Sequence, residues 1–282
     1  MSDEKKNPEV PEVSSFRKTW NILVPFLVYF VAHDLAQVFL AFVMNLSLTW
    51  FGDGYSSFMM AHAETVNGVL NGLALVIGMA FVWPMAHREL LWSKAKEKEK
   101  QEAAPDVLAY LLLAVFAVSL ALGVNVLLSI TGITGQSAAY ENIAQRQYGV
   151  AFAAGLIIYG ILSPVAEEIV FRGLIFNRMK RYFPTGISII VCGLLFGIYH
   201  GNLVQGIYGC ILGLAITFLY EKYHSFAAPV LFHSLANISV FVMGYRQDVF
   251  QKLLTPLNCI IFLIISFLSL LFILKTQNRK EK

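Results

Sequence analysis

Two adjacent glutamates and an arginine, Glu167, Glu168 and Arg172, lie within SPVAEEIVFRGLIF (163–176), and apolar sequence continues on both sides. Two other apolar runs carry polar residues at helical spacing. FGIYH places Phe196 and His200 four apart, and HSLAN places His233 and Asn237 four apart. These are the residue types of acid–base hydrolysis. A carboxylate takes a proton from water, and amide or imidazole N–H groups stabilise the oxyanion formed when water adds to a carbonyl. Spacing separates the roles. Glu168 and Arg172, at i and i+4, share a helix face and pair. Glu167 projects about 100° further round the helix, without that partner. One carboxylate is therefore held by a cation and the other is left to act as a base.

Such residues need a scaffold, and the composition identifies it. Of 282 residues, 57% are hydrophobic and 14% charged, with a mean hydropathy of +0.64. That is too little charge for the surface of a soluble domain. It points to an all-α, polytopic membrane helix bundle. A membrane-spanning helix takes roughly 20 apolar residues. Runs of this kind fall at about 20–50, 65–87, 107–130, 149–176, 187–200, 203–220, 226–244 and 255–274, or about eight spans. The fifth is short, bounded by YFPTG and the turn signal HGN.

Charge distribution orients the bundle. With a cytoplasmic N-terminus, 17 of the 21 Lys and Arg residues fall in cytoplasmic segments. Three, Arg146, Arg246 and Lys252, fall on the opposite side, and Arg172 stays inside the membrane. This positive-inside pattern predicts a multi-pass protein of the cell membrane with both termini cytoplasmic. The chain divides into a cytoplasmic tail (1–19), N-terminal spans with a charged cytoplasmic loop at 88–105 (20–148), the motif-bearing helices (149–245), and a last span with a basic tail (246–282). The N-terminus lacks the apolar core of a removable signal peptide. The 88–105 loop reads as a solvated segment with some attraction for anionic lipid.

Other features read as structural. Cys192, Cys210 and Cys259 form no CxxC pair and read as small buried hydrophobes. Gly193, Gly197 and Gly201, and likewise Gly209 and Gly213, recur every four residues as faces for close packing of the fifth and sixth spans. His33, Asp34 and Gln37, and Asn67, Asn71 and Asn125, read as interhelical hydrogen bonds. No internal repeat of the kind seen in secondary transporters is visible.

A charge at the bilayer centre costs roughly 2.5–3.5 kcal/mol on insertion scales, so the 167–172 cluster must face protein or a water-filled cavity. Counted from the cytoplasmic ends, the cluster lies roughly 9–16 Å deep, His233 and Asn237 about 10–16 Å, and His200 about 20 Å. These depths predict one cavity reached from the cytoplasm. Pro164 lacks an N–H and clashes with the preceding turn, so it should bend the helix just before the glutamates.

The three motifs, in this order on separate hydrophobic segments, resemble the CPBP family of intramembrane proteases. That family includes the type II CAAX prenyl endopeptidases and bacteriocin-processing and immunity proteins. Its EExxxR motif is matched by Glu167, Glu168 and Arg172, its FxxxH by Phe196 and His200, and its HxxxN by His233 and Asn237. The resemblance covers about residues 150 to 245. It implies peptide hydrolysis by a glutamate-activated water. Glu167 and His200 would hold that water, and His233 and Asn237 would form the oxyanion hole. Glu168 and Arg172 would orient the site, with Phe196 packed beside it. The expected substrate is a peptide or a lipidated or membrane protein, in contact with membrane lipids and with no nucleic-acid partner. No cofactor is expected. Zinc is the rival, since two histidines and two glutamates are available, but there is no HExxH and Arg172 disfavours a cation. The alternative function is a non-catalytic membrane immunity or regulatory protein binding a peptide or partner through the same cavity. A proton-coupled transporter is a third reading, disfavoured because only one span is charged.

Overall fold

A computed structural model describes residues 14–99 and 106–280. Residues 1–13 of the expected tail, 100–105 of the charged loop and 281–282 lie outside them. Eleven helices account for nearly all the described residues, and no strand occurs among them. They are α1 (Ser15–Trp50), α2 (Gly52–Ala61), α3 (Ala63–Glu99), α4 (Val107–Ile130), α5 (Ala138–Gly149), α6 (Phe152–Met179), α7 (Thr185–Tyr199), α8 (Leu203–Tyr223), α9 (Ala227–Tyr245), α10 (Gln247–Leu253) and α11 (Pro256–Lys280). Seven of them, α1, α3, α4, α6, α8, α9 and α11, are long and apolar enough to cross a membrane. α7 is the expected short fifth span. Its 15 residues extend only about 22 Å, against a hydrocarbon core of about 30 Å.

The bundle has two distinct ends. At one, Glu89 of α3 accepts from Arg178 Nε at 3.1 Å and from Arg181, while Arg178 also donates to the Asn21 carbonyl of α1 at 2.7 Å. Lys180 pairs with Glu221 of α8 at 2.6 Å. The start of α4 joins this end through Tyr223, whose hydroxyl donates to the Ala109 carbonyl at 2.7 Å. At the other end lie α2, α5, α10 and the α7–α8 turn. There Ala151 N–H donates to Thr65 Oγ1 at 2.9 Å, and Tyr148 and Phe152 pack on Phe241 and Tyr245.

α6 runs through the middle, wholly buried from Ala166 to Met179. α1, α3 and α7 cover one side of it, and α8 and α9 cover the other. α4 and α11 pack together behind α8 and α9. Glycine sets the α7–α8 spacing. A Cβ on Gly197 would meet the Cys210 backbone nitrogen at 2.7 Å, and one on Gly193 would meet the Leu214 nitrogen at 2.8 Å. Gly201 plays a different part from the packing role expected of it. It has φ +68° and open space around it, so it makes the turn instead of the contact. Asn202 then caps α8, its side chain accepting from Gln205 N–H at 2.9 Å.

Asn21 of α1 bonds beyond its own helix, its Nδ2 donating to the Tyr182 hydroxyl at 2.7 Å, but the three α1 residues expected to bond across helices do not. His33 Nδ1 pairs with its neighbour Asp34 at 3.0 Å, and Gln37 faces outward. Asn125 donates to Ala121 of its own helix at 3.0 Å. For His33 and Asn125 a carboxylate or carbonyl of the same helix supplies a near partner. Cys192 and Cys259 are buried and Cys210 is partly buried, all free.

Candidate active site

α6 is not a uniform α-helix. Residues Ile158–Leu162 and Ile169–Phe176 wind as π-helix on either side of an α-helical Ser163–Glu168. Widened turns of this kind are rare and gather at functional sites. Pro164 explains one consequence. Ser163 N–H reaches back five residues to the Ile158 carbonyl. The same step from Pro164 would reach Tyr159, but proline has no N–H. The orphaned Tyr159 oxygen accepts instead from Asn237 Nδ2 of α9, at 3.1 Å. The bend expected at Pro164 thus takes the form of a π turn that binds a motif residue of another helix.

The Glu168–Arg172 pair forms as the spacing predicts, Nη1 to Oε1 at 2.8 Å with neither side chain exposed. Arg172 is more than a counter-ion. Its Nη2 donates to the Gly213 carbonyl at 3.0 Å, and its Nε to Thr217 Oγ1 at 3.3 Å. Its guanidinium lies 4.6 Å over the Phe196 ring. Phe196 in turn meets His200 and His233 edge to face, with ring centroids 5.1 and 5.4 Å away. The motif phenylalanine is thus the common support of the arginine and both histidines.

Glu168 has a second donor. His233 Nδ1 lies 2.7 Å from the same Oε1. A carboxylate paired with arginine only accepts, so Nδ1 carries the proton. That leaves His233 Nε2 directed towards Glu167, 3.8 Å from Oε2, too far for a hydrogen bond. The N–H expected to serve the oxyanion is therefore committed to Glu168. Ser163 Oγ donates to Glu167 Oε1 at 2.6 Å, while the buried Oε2 makes no hydrogen bond. His200 Nδ1 donates to the Phe196 carbonyl at 2.9 Å, which directs its Nε2 lone pair away from its own helix.

Glu167, Phe196, His200, His233 and Asn237 all line one cavity of about 260 Å³. Glu168 and Arg172 stand behind it, fully buried. The seven expected residues are therefore assembled, five at the cavity wall and two supporting it. The cavity does not lie towards the basic loops, as the depth count predicted. Its wall includes Tyr140, Ile143, Gln147 and Tyr148 of α5, and Val204 and Gln205 beside the α7–α8 turn. All of these belong to the opposite end. His200 caps the far terminus of α7, and Glu167 stands twelve residues from the end of α6 at Met179, about 18 Å. Ser163, Gly213 and Thr217 carry no motif and were missed, as were the α5 residues. Only the i, i+4 spacing of Ser163 and Glu167 hinted at one of them.

Among the described residues, no group of three or more His, Cys, Asp or Glu side chains is arranged to hold a metal ion. Two donors of the cluster are already engaged, Glu168 Oε1 by Arg172 and His233 Nδ1 by Glu168.

Residues 149–239 match the family model described as type II CAAX prenyl endopeptidase Rce1-like. The chain is also similar to a Bacillus subtilis (strain 168) protein named "Putative membrane peptidase YdiL", at 27% identity over 88 residues. That match takes in 31% of this chain and 36% of the relative, so the chain spans little more than a third of the length of the curated relative it matches. No solved structure matches the chain. The matched segment coincides with the three motifs, and the family resemblance read from them holds.

Proposed function

We propose, from the premise that residues 149–239 carry an Rce1-like domain of the CPBP kind, that this integral membrane protein is a glutamate-dependent intramembrane endopeptidase. The observation that carries the reading is the asymmetry of the two carboxylates. Glu168 takes Arg172 and His233 on Oε1 and stands behind the cavity, whereas Glu167 takes only the neutral Ser163 on Oε1 and lines it; the second oxygen of each makes no hydrogen bond. Paired carboxylates in unlike surroundings are how a site separates base from support.

In this mechanism Glu167 Oε2 takes a proton from water as the water oxygen bonds to the scissile carbonyl carbon. His200 Nε2 accepts the water's other O–H and aligns it. The carbonyl becomes an oxyanion, and the Asn237 N–H not used by Tyr159 donates to it. Glu167 then returns its proton to the amide nitrogen as the C–N bond breaks, releasing an amine and a carboxylic acid, which passes its proton to the amine once released. His233 is held by Glu168, which takes its Nδ1–H and leaves Nε2 as an acceptor beside Glu167 at the cavity wall.

The test compares membranes from cells making the wild type with those making Glu167→Gln at matched abundance, by mass spectrometry of peptides and membrane proteins. Cleavage products that vanish in the variant support hydrolysis. Identical product patterns, with the biological output intact, would replace it with a binding role in immunity or regulation.

A further inference from the structure

The cavity's position and chemistry say where its substrate comes from. Among the described residues, Arg17, Lys18, Arg88, Lys94, Arg178 and Lys222 belong to the end where α1 and α4 begin and α6 and α8 finish. The opposite end holds, among the described residues, only Arg146, Arg246 and Lys252, and Arg246 is neutralised by Asp248 through two contacts of 3.1 Å. Under the positive-inside rule the basic end is cytoplasmic. The cavity belongs to the other end, where α5 and the α7–α8 turn complete its wall.

Apart from Glu167 and the histidines His200 and His233, its wall is uncharged. Tyrosine hydroxyls, from Tyr140, Tyr148 and Tyr208, and side-chain amides, from Asn125, Gln147 and Gln205, stand around it, and among the described residues no Lys or Arg lines it. Uncharged donors and acceptors of this kind satisfy the N–H and C=O groups of a polypeptide backbone. They do not compensate a buried carboxylate, which needs a cation. A free chain end would also bring its negative charge beside Glu167. At about 260 Å³ the space is slightly below the usual ~300–1,000 Å³ of ligand clefts, so it admits a short extended stretch and no folded unit.

We infer that the cavity takes its substrate from the extracytoplasmic face, past α5, and that this substrate is an uncharged internal stretch of polypeptide, not a chain terminus held by its carboxylate. The inference rests on the hydrolase reading for its second half and on helix placement alone for its first.

Two measurements on the full chain test the halves separately. Asn142→Cys lies on the exposed surface of α5, and Lys94→Cys on the exposed surface at the basic end. A membrane-impermeant maleimide added to intact cells should label the first and spare the second until the cells are opened, with the parent chain as the blank. Labelling of Lys94→Cys but not Asn142→Cys from outside overturns the sidedness, whatever the activity. The purified protein is then placed in vesicles whose orientation the same reporters establish. It is offered an internally quenched, uncharged peptide, with both ends blocked or with its carboxylate free. Cleavage should require the α5 face outward and should be at least about tenfold faster for the blocked peptide, equivalent to roughly 1.4 kcal/mol of charge repulsion. Faster cleavage of the free carboxylate form overturns the internal-segment assignment. Failure to cut either peptide in detergent, with wild type and Glu167→Gln alike, overturns the hydrolase reading and the substrate class with it. The labelling pattern still decides the sidedness in that case.

Discussion

His233 Nδ1 donates to Glu168 Oε1 at 2.7 Å, on the oxygen that Arg172 already holds at 2.8 Å. The second glutamate of the pair is thus the hinge between a cation and a histidine. It ties α6 to α9 and sets which nitrogen of His233 points at Glu167. Both ties lie in the dry interior, where an uncompensated charge is most costly.

Removing the cation and removing the base should therefore look different. Arg172→Ala leaves Glu168 without its cation and removes one donor each from the Gly213 carbonyl and Thr217 Oγ1. By analogy with broken buried pairs it should cost about 3–5 kcal/mol and lower abundance along with activity. Glu167→Gln keeps the volume and the acceptor for Ser163, and should lose activity at normal abundance and melting temperature. Equal melting temperatures for the two variants would contradict the assignment.

Asn237 has two duties, and a double mutant separates them. Asn237→Ala removes an oxyanion donor, worth about 10²–10³ in rate. It also leaves the Tyr159 carbonyl without its 3.1 Å partner, at roughly 1–3 kcal/mol. Pro164→Ala restores a backbone N–H to that turn. The combination Pro164→Ala with Asn237→Ala should regain stability over Asn237→Ala alone without regaining rate, as denaturant titration beside a cleavage assay will show. Strict additivity in stability would remove the proposed link between Pro164 and Asn237.

Two glycines on the α7–α8 interface predict different failures. A Cβ on Gly209 would sit 3.0 Å from Gly197 Cα and 3.1 Å from His200 Nδ1, so Gly209→Ala should displace the ring and cut kcat, with a smaller loss of stability than at Gly197. A Cβ on Gly197 meets the α8 backbone itself, which cannot give way. Gly197→Ala should force the hairpin apart and lower the melting temperature by several degrees, about what 1–3 kcal/mol of overpacking produces.

Thorough chelation should leave any cleavage rate of the purified protein unchanged, since the proposed chemistry uses a carboxylate and a histidine lone pair. Inactivation by a chelator, reversed by one equivalent of zinc per chain, would move the mechanism to a metal-activated water.

Much of the site was legible because helical spacing survives folding. Glu168 and Arg172, and Phe196 and His200, sit one turn apart whatever surrounds them, and their pairings could be read from four-residue intervals. The partnership of Glu168 with His233 could not, because 65 residues separate them and only the packing of α9 on α6 makes them neighbours. The depth count failed for a related reason. It gave depth along each helix but not the end at which the cavity lies, which is set by α5 and the α7–α8 turn in its wall.

Composition and hydrophobic run length by themselves determined that the chain is an all-helical membrane bundle. No backbone polar group can go unpaired in hydrocarbon, and a helix satisfies its own. Motif spacing determined which residues could act together on each helix. Tertiary structure alone decided which carboxylate is shared between Arg172 and His233 and which lines the cavity, that α5 completes the cavity wall, and at which end of the bundle the cavity lies. Those outcomes depend on the crossing of helices distant in sequence and on two π-helical stretches in α6. No local pattern encodes the one, and Pro164 only hints at the other.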